Sequence, residues 1–246
     1  MKLSVVLITH NEEANIKECL DSVAWADEIV LVDSGSVDRT LEFARPFSPR
    51  IFENPFKDFA SQKNFGLDHA SGDWIFSLDA DEWVPEALAC EIQELVKISK
   101  PDSVYAVRRL NSFFGKRLRF SGTQGDYPIR LFPSGKVRFQ QPVHEQVATA
   151  LPVRRLKNVL IHKSTRDIDH YKQKLDQYIP FEVNLLSAKK RKVSRFDLLL
   201  RPTAKFFLLY LLKGGLLDGV AGLKFSMLSA YYDFLKYRRF LQLDGR

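Results

Sequence analysis

The chain has 246 residues, of which 45% are hydrophobic and 27% charged, a balance that excludes a disordered or low-complexity protein. The formal charge of +7 conceals an asymmetry: residues 1–150 carry 17 basic and 22 acidic side chains, whereas residues 151–246 carry 20 basic and 8 acidic ones. Two cysteines are too few for a disulfide framework and favour a reducing compartment.

The amino-terminal sequence reaches polar residues after a short apolar run, so it does not resemble a secretory signal. No apolar run approaches the roughly 20 residues that span a bilayer. We therefore expect a cytoplasmic protein.

The first hundred residues alternate between strand-like and helix-like patterns. Continuous apolar runs predict buried strands at residues 3–9, 29–32 and 74–78, and a short strand at 51–52. Apolar residues at helical spacing predict four helices: one after Asn11 as its cap, one near Asp38 with Ser36 as its cap, one over residues 59–70, and one that Pro85 opens.

Buried strands separated by helices imply a parallel sheet, in which ligands bind beyond the carboxyl ends of the strands. Polar clusters at residues 9–12, 33–36 and 79–82 fall at those ends. From about residue 103, short aromatic-rich segments predict further strands at 104–107, 129–132, 137–139 and 143–147. After His162 the pattern is helical, with a break at Gly214-Gly215.

Asp79 and Asp81 follow a buried strand, and an extended tripeptide would point both carboxylates the same way. Such oxygen ligands suit Mg²⁺ or Mn²⁺ bound to a diphosphate. The alternative is a solvated turn rich in aspartate. Asp33 ends another buried strand, where it would accept a hydrogen bond from a nucleobase or stand as an exposed turn residue. Lys63 would reach a phosphate or base, although a solvated helix face is favoured from the residues alone.

Five segments resemble family 2 glycosyltransferases in their order and spacing. They read SVVLITHNEE at residues 4–13, VDSGSVDRT at 32–40, QKNFGL at 62–67, ASGDW at 70–74 and LDADE at 78–82. The later segments RLF at 130–132, VHE at 143–145 and LDG at 217–219 resemble one branch, the bacterial lipopolysaccharide inner-core glucosyltransferases.

The resemblance implies an α/β protein of the GT-A fold, Rossmann-like and nucleotide-sugar-binding, with a UDP-sugar donor, a divalent metal and inversion at the anomeric carbon. Its motifs assign nucleotide contacts to Thr9, Glu12, Asp33 and Lys63, a ribose or metal contact to Asp79, and the main metal contact to Asp81. One departure is Ser34, where many members have a second aspartate; this weakens the assignment of base contacts.

Inversion needs a base that deprotonates the acceptor hydroxyl. Glu145 is the candidate because it lies in the strand-rich segment expected to face the acceptor, with Asp126 in reserve; a surface carboxylate is the alternative. His144 would orient Glu145 or contact the acceptor. His162 follows an apolar run and would complete the metal site, or be a structural histidine.

Basic and apolar residues alternate in the last third of the chain, including the run 189–192. This pattern favours an amphipathic helical extension on an anionic membrane surface. A helical pair packed on the core or in a dimer is the alternative; nucleic acid is not favoured, because no RNA-binding module is visible.

Together these patterns predict a catalytic domain over residues 1–165, with a nucleotide-sugar half (1–100) and an acceptor half (101–165), and a membrane-associating region over 166–246. The predicted activity is transfer of a hexose, such as glucose, to a lipopolysaccharide core or related lipid-linked acceptor at the cytoplasmic membrane face. The alternatives are a non-catalytic nucleotide- or nucleic-acid-binding protein and a membrane scaffold with a degenerate catalytic domain. The sequence leaves the oligomeric state open.

Overall fold

The computed structural model describes residues 1–98, 100–143, 145–189 and 193–243. It contains two compact units, one built from residues 1–109 and 126–162 and the other from residues 110–125 and 163–246. The predicted boundary after residue 165 stays a prediction. The basic run predicted at 189–192 lies outside the described residues apart from Lys189.

Eleven strands occur in the described part of the chain. In chain order, β1 to β11 are Leu3–Thr9, Glu28–Asp33, Arg50–Glu53, Trp74–Asp79, Glu82–Trp83, Val104–Phe113, Lys116–Arg117, Ile129–Pro133, Arg138–Gln140, Gln146–Ala148 and Val153–Thr165. The main sheet has the order β3-β2-β1-β4-β8-β6-β11-β5, and β9 and β10 form a separate antiparallel pair. The three predicted buried strands are confirmed, each a residue or two longer at most.

The parallel part of the sheet, β3-β2-β1-β4, brings three strand ends together. Thr9 is opposite Asp33 and Ile8 is opposite Asp79 in the strand register. Their strands form the centre of the core because almost every side chain of β1, β2 and β4 is buried. The polar residues at these ends therefore stand on a rigid support.

Four helices belong to the first unit: α1 Ile16–Asp21, α2 Thr40–Ala44, α3 Phe59–His69 and α4 Glu86–Ile98. The carboxylate of Asp58 caps α3 by accepting a hydrogen bond from the Ser61 amide at 2.7 Å. Helix α3 then packs closely on the sheet, since a Cβ at Gly66 would come within 2.5 Å of the Val6 side chain. That contact fixes the depth at which α3 presents its polar residues.

Both predicted caps in the first unit are wrong. Asn11 has a left-handed backbone (φ 54°) and its side chain accepts from the Val37 amide, while α1 begins only at Ile16. Ser36 donates to Asp33 at 2.6 Å, and α2 begins at Thr40. Side chains that bind across loops are not available to cap helices.

The second unit is mainly helical. Its helices are α5 Ile168–Ala188, α6 Asp197–Phe207 and α7 Gly219–Leu243, with a π-helical turn at Leu208–Leu212 and a 3₁₀ turn at Gly215–Asp218. The predicted break at Gly214-Gly215 is confirmed. Helix formation starts later than predicted, because β11 continues to Thr165.

None of the helices that the structure describes is by itself long and apolar enough to cross a membrane. The pair Asp197–Leu212 and Gly215–Leu243 meets that criterion only together, and it is bent by 71°.

A buried carboxylate, Glu28, ties the start of β2 to its neighbours. It accepts hydrogen bonds from Ser4 Oγ, from the amide and hydroxyl of Ser71, and from Arg50. Burial would raise the pKa of Glu28, but the hydrogen bonds from Ser4, Ser71 and Arg50 outweigh it and lower the pKa to about 2. The ionised form therefore stabilises the fold.

We expect Glu28→Gln to lower the free energy of unfolding at pH 7 by about 2 kcal/mol. The folded pKa lies below the unfolded value of about 4.3, so this stabilisation is complete above that value and is lost as the pH falls towards 2. Urea unfolding at several pH values should show the gap from wild type narrowing below about pH 4. Glu42→Gln, in an exposed pair with Arg39, is the control and should unfold at the same urea concentration as wild type at every pH.

Candidate active site

One lysine connects two carboxylates beside the carboxyl end of the parallel strands. Lys63 Nζ lies 2.9 Å from Asp79 Oδ1 and 2.9 Å from Glu145 Oε1. These two oxygens are therefore no further apart than twice that distance. Lys63 is only 5% exposed, so the expectation of a solvated helix face is wrong.

The segment leading to Glu145 is held against helix α3. The Asn64 side chain donates to the Phe139 carbonyl and accepts from the Phe139 amide, both at 2.9 Å. The Phe59 amide donates to the Pro142 carbonyl at 3.1 Å. These bonds hold the segment before Glu145 along helix α3, and Glu145 itself meets Lys63 of the same helix.

The charges continue in alternation beyond Asp79. Arg130 lies 2.6 Å from both Asp79 Oδ2 and Glu82 Oε1. Arg109 in turn lies 3.0 Å from Glu82 Oε1 and 2.8 Å from Asp126 Oδ2. We call this set the charge ladder; its members in order are Glu145, Lys63, Asp79, Arg130, Glu82, Arg109 and Asp126. The two candidate bases predicted from sequence are its two ends.

Mutual attraction keeps Lys63, Asp79 and Arg130 ionised. Burial would raise the pKa of Asp79, but the Arg130 and Lys63 cations hold it well below its ordinary value. Burial would lower the pKa of Lys63 and Arg130, yet adjacent carboxylates, Asp79 foremost, hold both above their ordinary values. These groups therefore form a fixed electrostatic frame at neutral pH.

Asp79 and Asp81 have different partners, contrary to the expectation of a parallel pair. Strand β4 ends at Asp79, and residues 80–81 form a turn, so the tripeptide is not extended. Both oxygens of Asp79 face cations of the ladder. A metal contact from Asp79 stays a prediction.

Asp81 and His162 are two of the predicted metal ligands, and the structure brings them into direct contact. Asp81 Oδ2 lies 3.2 Å from His162 Nε2, close to the roughly 3 Å between adjacent ligands of an octahedral cation with bonds of about 2.1 Å. The pairing of β11 with β5, which sets His162 opposite Glu82, brings the imidazole here. Within the described residues no group of three His, Cys, Asp or Glu side chains could hold a metal, so such a site would need substrate or water oxygens as further ligands.

The remaining predicted nucleotide contacts lie on the neighbouring strand ends. Thr9 is buried, and its Oγ1 has no hydrogen-bond partner among the described residues. Asp33 is buried and accepts from the Gly35 and Ser36 amides at 2.9 and 2.8 Å, so it is not an exposed turn residue. Glu12 accepts from the Asn15 side chain at 2.7 Å. Nucleotide contacts by all three stay predictions, and His144 lies outside the described residues.

Sequence reasoning gave no role to three members of the ladder: Glu82, Arg109 and Arg130. A signal was present, because Arg130 interrupts the otherwise apolar strand β8 and is itself buried. A buried charge is rare unless it is paired. The pattern marks the arginine but cannot identify its partners, which lie about fifty residues away in the chain.

A parallel sheet with polar strand ends, extended by antiparallel strands, is the GT-A fold, and a solved structure of that fold covers nearly the whole chain. The family model "Glycosyl transferase family 2" matches residues 4–158, more than half of the chain, and the chain belongs to that family. The predictions of family, fold class and enzyme class are confirmed.

Similar proteins agree with this assignment. The lipopolysaccharide core biosynthesis glycosyltransferase LpsC of Rhizobium meliloti is 28% identical, over 98% of this chain and 93% of its own. An uncharacterized glycosyltransferase of Rickettsia typhi is 23% identical over 99% of this chain and 88% of its own. The crystal structure of S. aureus TarS 1–349 in complex with UDP-GlcNAc has a TM-score of 0.53 at 15% identity, covering 97% of this chain and 92% of that one.

We expect Arg130→Met to lower the free energy of unfolding by about 3–5 kcal/mol, because it leaves the buried Asp79 and Glu82 carboxylates without their shared cation. Arg138→Met is the matched control: its pair with Asp68 is more than half exposed and should contribute less than about 1 kcal/mol. Urea unfolding at pH 7 measures both. Equal losses in the two variants would show that the ladder does not stabilise the fold.

Proposed function

We propose that this enzyme transfers a hexose, with glucose as the first candidate, from a UDP-sugar to a lipopolysaccharide core or related lipid-linked acceptor. The observation that carries the proposal is the Lys63 bridge between Asp79 and Glu145. The bridge holds Asp79, on the predicted nucleotide side, close to Glu145, on the predicted acceptor side. That is the arrangement an inverting transfer needs, since the donor and the attacking hydroxyl must meet.

The donor pocket would lie at the carboxyl ends of β1, β2 and β4. Thr9 Oγ1, buried and without a partner among the described residues, is available to a nucleotide oxygen or nitrogen. Asp33 would receive the uracil, and Glu12 would line the same pocket. The UDP-GlcNAc complex of TarS supports a UDP-sugar donor.

Asp81 and His162 would hold Mg²⁺ or Mn²⁺. When bound, the cation would neutralise the diphosphate and so stabilise it as a leaving group. Asp79 would lie beside the ribose while it anchors Lys63 and Arg130. The two aspartates thus have separate roles in this proposal, one towards the cation and one towards the protein frame.

Glu145 would accept the proton of the acceptor hydroxyl as that oxygen attacks the anomeric carbon. Its ion pair with Lys63 holds the carboxylate in one orientation. Asp126 is less suited, because Arg109 engages both of its oxygens at 2.8 and 3.4 Å.

The likeness to LpsC, over nearly the whole of both chains, supports a lipopolysaccharide core acceptor. Such an acceptor carries a lipid anchor, so the enzyme would work at the cytoplasmic face of the inner membrane as a peripheral protein.

Asp81→Asn should reduce UDP-sugar turnover by at least about 100-fold and raise the Mn²⁺ concentration needed for half-maximal activity, because a cation ligand is weakened. Turnover of the purified enzyme across a Mn²⁺ titration measures both effects. Asp68→Asn, at an exposed carboxylate, is the control and should match wild type. Wild-type activity and Mn²⁺ dependence in Asp81→Asn would contradict the metal assignment.

Glu145→Gln should retain UDP binding but lose transfer by a factor on the order of 10²–10⁴, since the amide still meets Lys63 but accepts no proton. Calorimetric titration with UDP and a transfer assay separate the two quantities. Asp126→Asn, at the other end of the ladder, is the comparison. If Asp126→Asn abolishes transfer while Glu145→Gln does not, the base is Asp126.

A further inference from the structure

Helix α6 and the π-helical turn after it expose a continuous row of large apolar side chains. Their exposed fractions range from 39% at Leu208 to 84% at Phe196. We call this row the apolar ridge; its members are Phe196, Leu199, Leu200, Phe207, Leu208, Leu211 and Leu212. Leu216, Leu217 and Val220 extend it beyond the helical break.

The spacing of the apolar ridge is that of one helix face. Its members form two groups, at 196–200 and 207–212, and the exposed Thr203 and Ala204 lie between them at helical spacing. The opposite face is turned towards the rest of the second unit: Leu198 packs against its core, and the Arg201 guanidinium lies 5.1 Å from the centre of the Tyr237 ring. The exposed side is therefore the more apolar one, the reverse of a helix built to face water.

The segment that carries the apolar ridge has an excess of basic residues. Within the described segment 194–217 the basic residues are Arg195, Arg201, Lys205 and Lys213, and the single acidic residue is Asp197. Asp197 is already paired with Arg201 at 2.6 Å. An apolar strip on a segment with excess positive charge is complementary to a surface that has an apolar layer beneath anionic groups.

The fold holds the end of the apolar ridge in place. The Asp218 carboxylate accepts hydrogen bonds from the Arg119 amide at 2.9 Å and from Ser121 Oγ at 2.7 Å. At the same break a Cβ on Gly222 would come within 1.9 Å of the Gly215 carbonyl oxygen, so the two backbone segments are in direct contact. The exposed leucines are therefore presented by a packed element.

We propose that the apolar ridge docks into the interfacial layer of an anionic phospholipid bilayer. Helices α6 and α7 are bent by 71° at the break, so the ridge does not continue straight into α7. This deepens the proposed function, whose lipid-linked acceptor lies in such a bilayer. In this proposal the ridge makes the apolar contact, and the excess positive charge of segment 194–217 attracts the anionic headgroups.

The test is co-sedimentation of the full chain with vesicles of phosphatidylcholine, with and without phosphatidylglycerol. Wild type should bind the anionic vesicles at least about tenfold more strongly than the neutral ones. The double variant Leu199→Glu/Leu212→Glu places charges on the ridge and should lose at least about tenfold of that binding. Both side chains are largely exposed, so the substitutions should leave the fold intact.

A matched control, Ile98→Glu/Val153→Glu, makes the same change at exposed apolar residues of the first unit and should bind vesicles as wild type does. Wild type that stays in solution, or a ridge variant that binds as wild type, would overturn the proposal. So would a wild-type dimer that the ridge variant converts to a monomer without any vesicle binding. Hydrolysis of UDP-sugar without vesicles tests the donor chemistry separately, since it should be equal in all three proteins.

Discussion

Seven charged side chains share the region beneath the candidate active site, and the need to pair them shapes the first unit. A buried charge without a partner destabilises a protein by several kcal/mol, so each member of the charge ladder must meet an opposite charge. Helix α3 and strands β4, β5, β6 and β8 each supply a member. Their relative positions are thereby constrained by electrostatics as well as by apolar packing.

The charge ladder also connects the two halves of the predicted catalytic domain by ion pairs. Its middle member, Arg130, belongs to the antiparallel strands, while Asp79 ends the parallel strand β4. Lys63 makes the corresponding link to Glu145. The side that would hold the donor and the side that would receive the acceptor are therefore joined by ion pairs at two points, and neither depends on a flexible surface contact.

The sheet could be predicted from the sequence because continuous apolar runs such as Leu3–Thr9 have few other uses in a protein of this composition. Local capping could not, because the Asn11 side chain binds the Val37 amide and the Ser36 hydroxyl accepts from the Asn11 amide, contacts between residues 25 or more apart in the chain. The surroundings of Lys63 also could not be predicted from its neighbours in the sequence. Its sequence neighbours suggested a solvated helix face, whereas its partners are 16 and 82 residues away. Motif resemblance indicated Lys63 as a functional position, but only folding showed what it contacts.

The short pairing between β5 and β11 has a further consequence for sequence change. His162 is paired with Glu82 in this antiparallel pairing, which is only two residues long. Side chains along a strand alternate between the two faces of the sheet. A slip of one residue would set Ile161 or Lys163 opposite Glu82, replacing an imidazole with a hydrocarbon or an ammonium group. An insertion or deletion in β11 before His162 would therefore change which side chain reaches Asp81, even with every residue type in the strand retained.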